Sequence, residues 1–165
     1  MKIRHWYVVH GKLDVIPSPT ALLNCVRPRV SGLTYDGQLL QRGGWQDGGL
    51  RFLHESAPAI LVGRLVSGDE FYNWDRAGWD AELRSWNGPN GESVIEHLRQ
   101  TCQSITITPI MGSLGQARLA RICEQICGQL AQLTEGLIHV YQAGFFDAKG
   151  ESLHPYCPKH RLRTA

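Results

Sequence analysis

The stretch from Gln116 to Leu133 constrains this chain more than any other. Leu119, Ile122, Cys123, Ile126, Leu130 and Leu133 recur three or four residues apart, so a helix here gathers its apolar side chains on one face. Ser113 and Gln116 stand at the spacing of a capping box, and Gly136 supplies a stop. An apolar stripe of about five turns must be covered by another layer.

The rest of the chain offers that layer mainly as strands. Residues 2–10 are dense in β-branched and aromatic types. Residues 59–66 hold Ile60, Leu61, Val62, Leu65 and Val66, a nearly continuous apolar run that suits a central strand. Residues 104–110 alternate as Ile105-Thr106-Ile107-Thr108, and Leu137 to Phe146 reads as a further strand. Short antiparallel segments are expected at Gln38 to Gln41 and Leu50 to His54, joined by a glycine-rich turn. Three more helices are indicated. One opens at Ser18 and Pro19 and ends before Pro28. Another is capped by Asp75 and places Trp79, Leu83 and Trp86 on one face; a third is capped by Asn90 and carries Val94, Ile95, Leu98 and Cys102. The expected class is α+β: a single domain over 1–165, with a mostly antiparallel sheet packed against two or three helices. Residues 147–165 read as a polar C-terminal extension.

At 165 residues such a domain hides roughly two thirds of its unfolded surface, enough for a core without staples. The 17 basic and 15 acidic residues leave +2, a surplus that neither demands nor excludes nucleic acid. The first apolar run is too short for a signal peptide, and no stretch approaches the ~18 apolar residues of a membrane span. Five cysteines form an odd set in a chain that needs none to fold. This points to reduced thiols and a cytoplasmic protein.

The densest motif is Asp69-Glu70-Phe71-Tyr72-Asn73-Trp74-Asp75-Arg76-Ala77-Gly78-Trp79-Asp80, with four acids, one arginine and four aromatics. Aromatics bury area while the acids present charge, a mixture suited to recognising a protein with a basic surface. Asp69, Glu70, Phe71, Tyr72, Trp74, Asp75 and Asp80 are therefore the candidate contacts; the bland alternative is a solvated acidic face. Trp45 and Asp47, displayed by Gly43-Gly44-Trp45-Gln46-Asp47-Gly48-Gly49, extend the candidate surface. That loop lacks both the dinucleotide fingerprint and the lysine and hydroxyl of a phosphate loop. The carboxylates match no glycosidase or metal-loop pattern, and no catalytic residue is assigned.

His154, Cys157 and His160 form the alternative site. Imidazole and thiolate are zinc ligands, and H-x2-C-x2-H brings three into one short loop, with a fourth left to Asp147, His139, another thiol or water. The competing reading is a proline-stiffened tail packed through Tyr156 and Cys157. Cys123 and Cys127 lie on the apolar stripe and read as core. The basic end from Lys159 to Arg163, with the glycine-rich loop, gives a nucleic-acid reading. The lack of any RNP-like, zinc-finger or helix-turn-helix signature argues against it.

In general character, as one small α+β domain with a tryptophan-rich acidic segment and no evident catalytic set, the chain resembles the immunity proteins of bacterial polymorphic toxin systems. The resemblance implies a cognate toxin held by occlusion of its active site, with no cofactor and no chemistry by this protein. The alternatives are a metal-dependent enzyme or metal-binding module built on the C-terminal His/Cys cluster, and a nucleic-acid-binding protein.

Overall fold

The computed structural model describes residues 6–36, 49–68, 70, 73, 77, 83, 90–110, 112, 114–141, 143–155, 162 and 164. Its centre is an antiparallel sheet of eight strands. These are β1 (Tyr7–Gly11), β2 (Leu33–Tyr35), β3 (Leu50–His54), β4 (Ala57–Val66), β5 (Gln103–Pro109), β6 (Leu137–Val140), β7 (Gly144–Phe146) and β8 (Ser152–Pro155). In space they run β2-β3-β4-β5-β1-β6-β7-β8, so the first strand sits inside the sheet between two later ones. Among the described residues, three helices with defined bounds, α1 (Pro19–Val26), α2 (Gly91–Gln100) and α3 (Gln116–Thr134), complete an α+β architecture.

Strand alternation sorts the side chains onto two faces. On the first face, Tyr7 and Val9 of β1 lie beside Ile107 and Ile105 of β5, and beside Val140 and Ile138 of β6. These join Leu119, Ile122, Cys123, Ile126 and Leu130 of α3 in the main core, as the stripe requires. Each such side chain contributes about 1.5–3 kcal/mol by leaving water. Leu133, at the end of the stripe, is only half-buried. Helix α1 packs on the same core through Leu22, Leu23 and Val26. It starts as its sequence dictates: Ser18 Oγ accepts from the Ala21 amide at 3.1 Å, and Pro19 takes the first turn. A 3-10 turn at Arg27–Arg29 holds Pro28 and ends it.

On the second face, Leu137 of β6 and Phe145 of β7 are covered by Val94 and Leu98 of α2 and by Leu83. Leu83 follows the acidic-aromatic segment by three residues; it and the segment's described residues Glu70, Asn73 and Ala77 are helical.

Several local expectations are corrected. Strand β3 pairs with β2, at Leu33–Tyr35, and with β4; Gln38 to Gln41 lie outside the described residues. The expected strand from Leu137 to Phe146 is a hairpin, in which the Ala143 amide bonds the Val140 carbonyl and Gly144 takes φ 121°. Helix α3 begins at Gln116 behind Gly115, which has φ 71° and gives no side-chain cap. Gln116 is thus the first helical residue, not the third, and the predicted capping box has lost its register. Asn90 precedes α2 but does not cap it; its Nδ2 donates to the Leu153 carbonyl at 3.2 Å and ties the helix start to β8. Helical structure is present at Glu70 and Asn73, upstream of the start predicted at Asp75. The polar tail supplies β8, and Leu162 enters the main core.

Candidate functional site

Of the predicted protein-binding residues, the structure places Glu70, which is helical and exposed. Asn73 and Ala77, three and seven positions on, are exposed as well, whereas Leu83 is fully buried. Leu83 is thus packed inward, while Glu70, Asn73 and Ala77 meet solvent. Asp69, Phe71, Tyr72, Trp74, Asp75, Asp80, Trp45 and Asp47 lie outside the described residues.

His154 lies on β8, directly opposite Phe145, and is buried. Cys157 and His160 are outside the described residues. Among those described, no three His, Cys, Asp or Glu side chains are grouped to hold a metal ion.

His154 instead belongs to a cluster that only strand pairing reveals. His10 faces Ser104 across β1 and β5, and its Nδ1 lies 3.0 Å from Ser104 Oγ. His139 lies diagonal to His10 on the same face, with ring centroids 6.3 Å apart. Phe145 sits between His139 and His154, its ring centroid 4.6 Å from one and 6.2 Å from the other. From α2, His97 Nε2 donates to the His10 carbonyl at 3.0 Å, which fixes its tautomer. Four of the seven histidines thus meet between α2 and the sheet.

Burial in this apolar sandwich opposes charge on the imidazoles. Desolvation, with His97 as a second cause, lowers His10 from 6.5 to about 3. Desolvation followed by His10 and His154 takes His139 to about 3. His97 is also lowered by desolvation, against the opposing pull of its bond to His10. His10 and His139 are therefore neutral at pH 7, and Ser104 is buried beside His10.

The thiols are equally quiet. Burial pushes Cys25 up to about 11 and raises Cys102, Cys123 and Cys127. A thiolate nucleophile needs the opposite shift.

Two features of the surface complete the description. The loop after β1 is pinned from beneath: Gln103 Nε2 donates to the carbonyls of Leu13 and Val15, the latter at 3.1 Å. Arg64 Nε donates to Gln103 Oε1 at 2.7 Å while its outer nitrogen grips Asp14. Buried polar groups thereby hold in place a loop whose Leu13, Val15 and Ile16 remain exposed. The second feature is the end of the sheet's second face away from α2, where Trp6, Tyr141 and Leu61 are 59%, 53% and 42% exposed. Sequence reading assigned nothing to these three; their proximity depends on strand order.

No protein-family model matches the chain, and neither does any curated protein or solved structure in the searches made.

Proposed function

We propose that the protein works by binding another protein, in the manner of an immunity protein that occludes a cognate toxin in the bacterial cytoplasm. The observation that supports this reading is that helical Leu83 is fully buried while helical Glu70, Asn73 and Ala77 are exposed. Positions already held in helical structure lose little ordering entropy when a partner docks. Glu70 gives that surface a carboxylate for a basic partner. The pinned Leu13–Ile16 loop adds apolar side chains already held in position. Cys25, Cys102, Cys123 and Cys127 are free thiols, which fits a reducing compartment. Among the described residues no helix is long and apolar enough to cross a membrane.

The test is affinity capture from the native host with the intact protein and with Glu70→Lys/Asp75→Lys, both checked by thermal melting. The reading expects one stoichiometric protein that the charge reversal loses. Equal capture by both would remove the acidic face from the account.

A further inference from the structure

The open end of the sheet's second face carries a row of side chains that the acidic helix does not use. Arg51 of β3 is paired with Leu61 of β4, and Leu61 with Thr108 of β5. Trp6 immediately precedes β1, and its carbonyl accepts from the Tyr141 amide at 3.0 Å, so the two aromatics sit side by side where β1 and β6 end. Alternation from Val8 and His139 puts both on this same face. From Tyr141 to Arg51 the row crosses five adjacent strands, about 19 Å at the usual strand spacing.

The floor between Leu61 and Thr108 is concave. It encloses about 320 Å³ and is lined by Gly63 and Thr106 among others. A Cβ at Gly63 would come within 2.9 Å of Thr106 Oγ1, so glycine keeps this floor clear. Arg51 is half-exposed and forms a long surface ion pair with Asp36 at 3.9 Å, which an incoming phosphate would have to replace.

Exposed tryptophan and tyrosine cost solvation unless something stacks on them. Every nucleobase has a π-face to offer, and an exposed arginine on the same face suits the phosphates that join the bases. Sheet surfaces with two or three aromatics recognise unpaired strands in this way. We infer that the open end of the second face binds single-stranded nucleic acid, with bases stacked on Trp6 and Tyr141 and a phosphate held at Arg51. Duplex is disfavoured, because paired bases keep their faces inside the stack. This site is separate from the acidic helix, and its assignment does not depend on the protein-binding proposal.

The experiment is fluorescence anisotropy with labelled mixed-sequence 12-mers of single-stranded RNA, single-stranded DNA and duplex DNA, at several salt concentrations. Wild type should bind the single strands saturably and the duplex more weakly; the RNA and DNA arms then identify the natural strand. Trp6→Ala and Tyr141→Ala should each weaken binding about tenfold. Arg51→Gln should flatten the slope of log affinity against log salt by about 0.7, the share of one phosphate contact. All three side chains are solvent-exposed, and unchanged melting will show that the variants are folded. Absence of saturable binding at low salt, or binding that Trp6→Ala and Tyr141→Ala leave intact, overturns the inference. If no oligonucleotide binds but a captured protein is lost with these same substitutions, the row is a protein interface and the nucleic-acid assignment is wrong.

Discussion

Acidification should destabilise this protein through His10 and His139. Each imidazole has a folded pKa of about 3 against 6.5 when solvated. Near pH 5 the unfolded chain binds almost one proton at each, and the folded chain binds almost none. Stability therefore rises with pH up to 6.5, is fully present above it, and is lost as pH falls from 6.5 toward 3. From pH 7 to pH 5 the loss is about 2 kcal/mol per histidine, or about 4 for the two, a large share of the 5–15 kcal/mol that holds a domain folded. Urea unfolding followed by circular dichroism at both pH values measures it. In His10→Asn, an amide stands near the Nδ1 position that faces Ser104 but takes no proton, so the pH-dependent loss should shrink by about 2 kcal/mol. An unfolding free energy unchanged between pH 7 and 5, or a His10→Asn variant as acid-sensitive as wild type, refutes the reasoning.

Gln103→Leu should leave the Leu13 and Val15 carbonyls and Arg64 without their partner, cost about 1–3 kcal/mol and speed hydrogen exchange in residues 12–16. Gly128→Ala should speed proteolysis of the C-terminus despite alanine's better helix propensity, because the new methyl would meet Thr164 Cβ at 2.6 Å; unchanged cleavage would show that the tail does not rest there. Ile105→Ala, at the centre of the main core, should cost about 2–5 kcal/mol in chemical denaturation. His154→Ala should lower the melting temperature without changing metal content by mass spectrometry; stoichiometric zinc lost with that substitution would support the metal reading.

Local chemistry made some elements legible. The Ser18-Pro19 start and the apolar stripe of α3 depend on neighbours three or four residues away, and both formed as read, with the stripe fading at Leu133. The hairpin at 141–143 was hidden because its turn interrupts an apolar run without proline or an Asn-Gly pair. Strand β8 was hidden because four residues in a polar tail acquire strand character only from β7. Helical structure at Glu70 and Asn73 lies upstream of the start that Asp75 suggested, since a capping residue type does not by itself mark a helix start in sequence. The histidine cluster and the Trp6–Tyr141 pair were not legible at all. His10 and Ser104 are 94 positions apart, and only the register of an interior strand brings them together.

The central claim is that the outward side of the acidic helix is a protein-binding surface. A photo-crosslinking amino acid at exposed Ala77 tests it most directly, with the same probe at exposed Glu135 as the control. The account predicts one discrete protein adduct from position 77 and none from 135, with Glu70→Lys suppressing the first. No adduct at 77, or the same adducts from both positions, would contradict it.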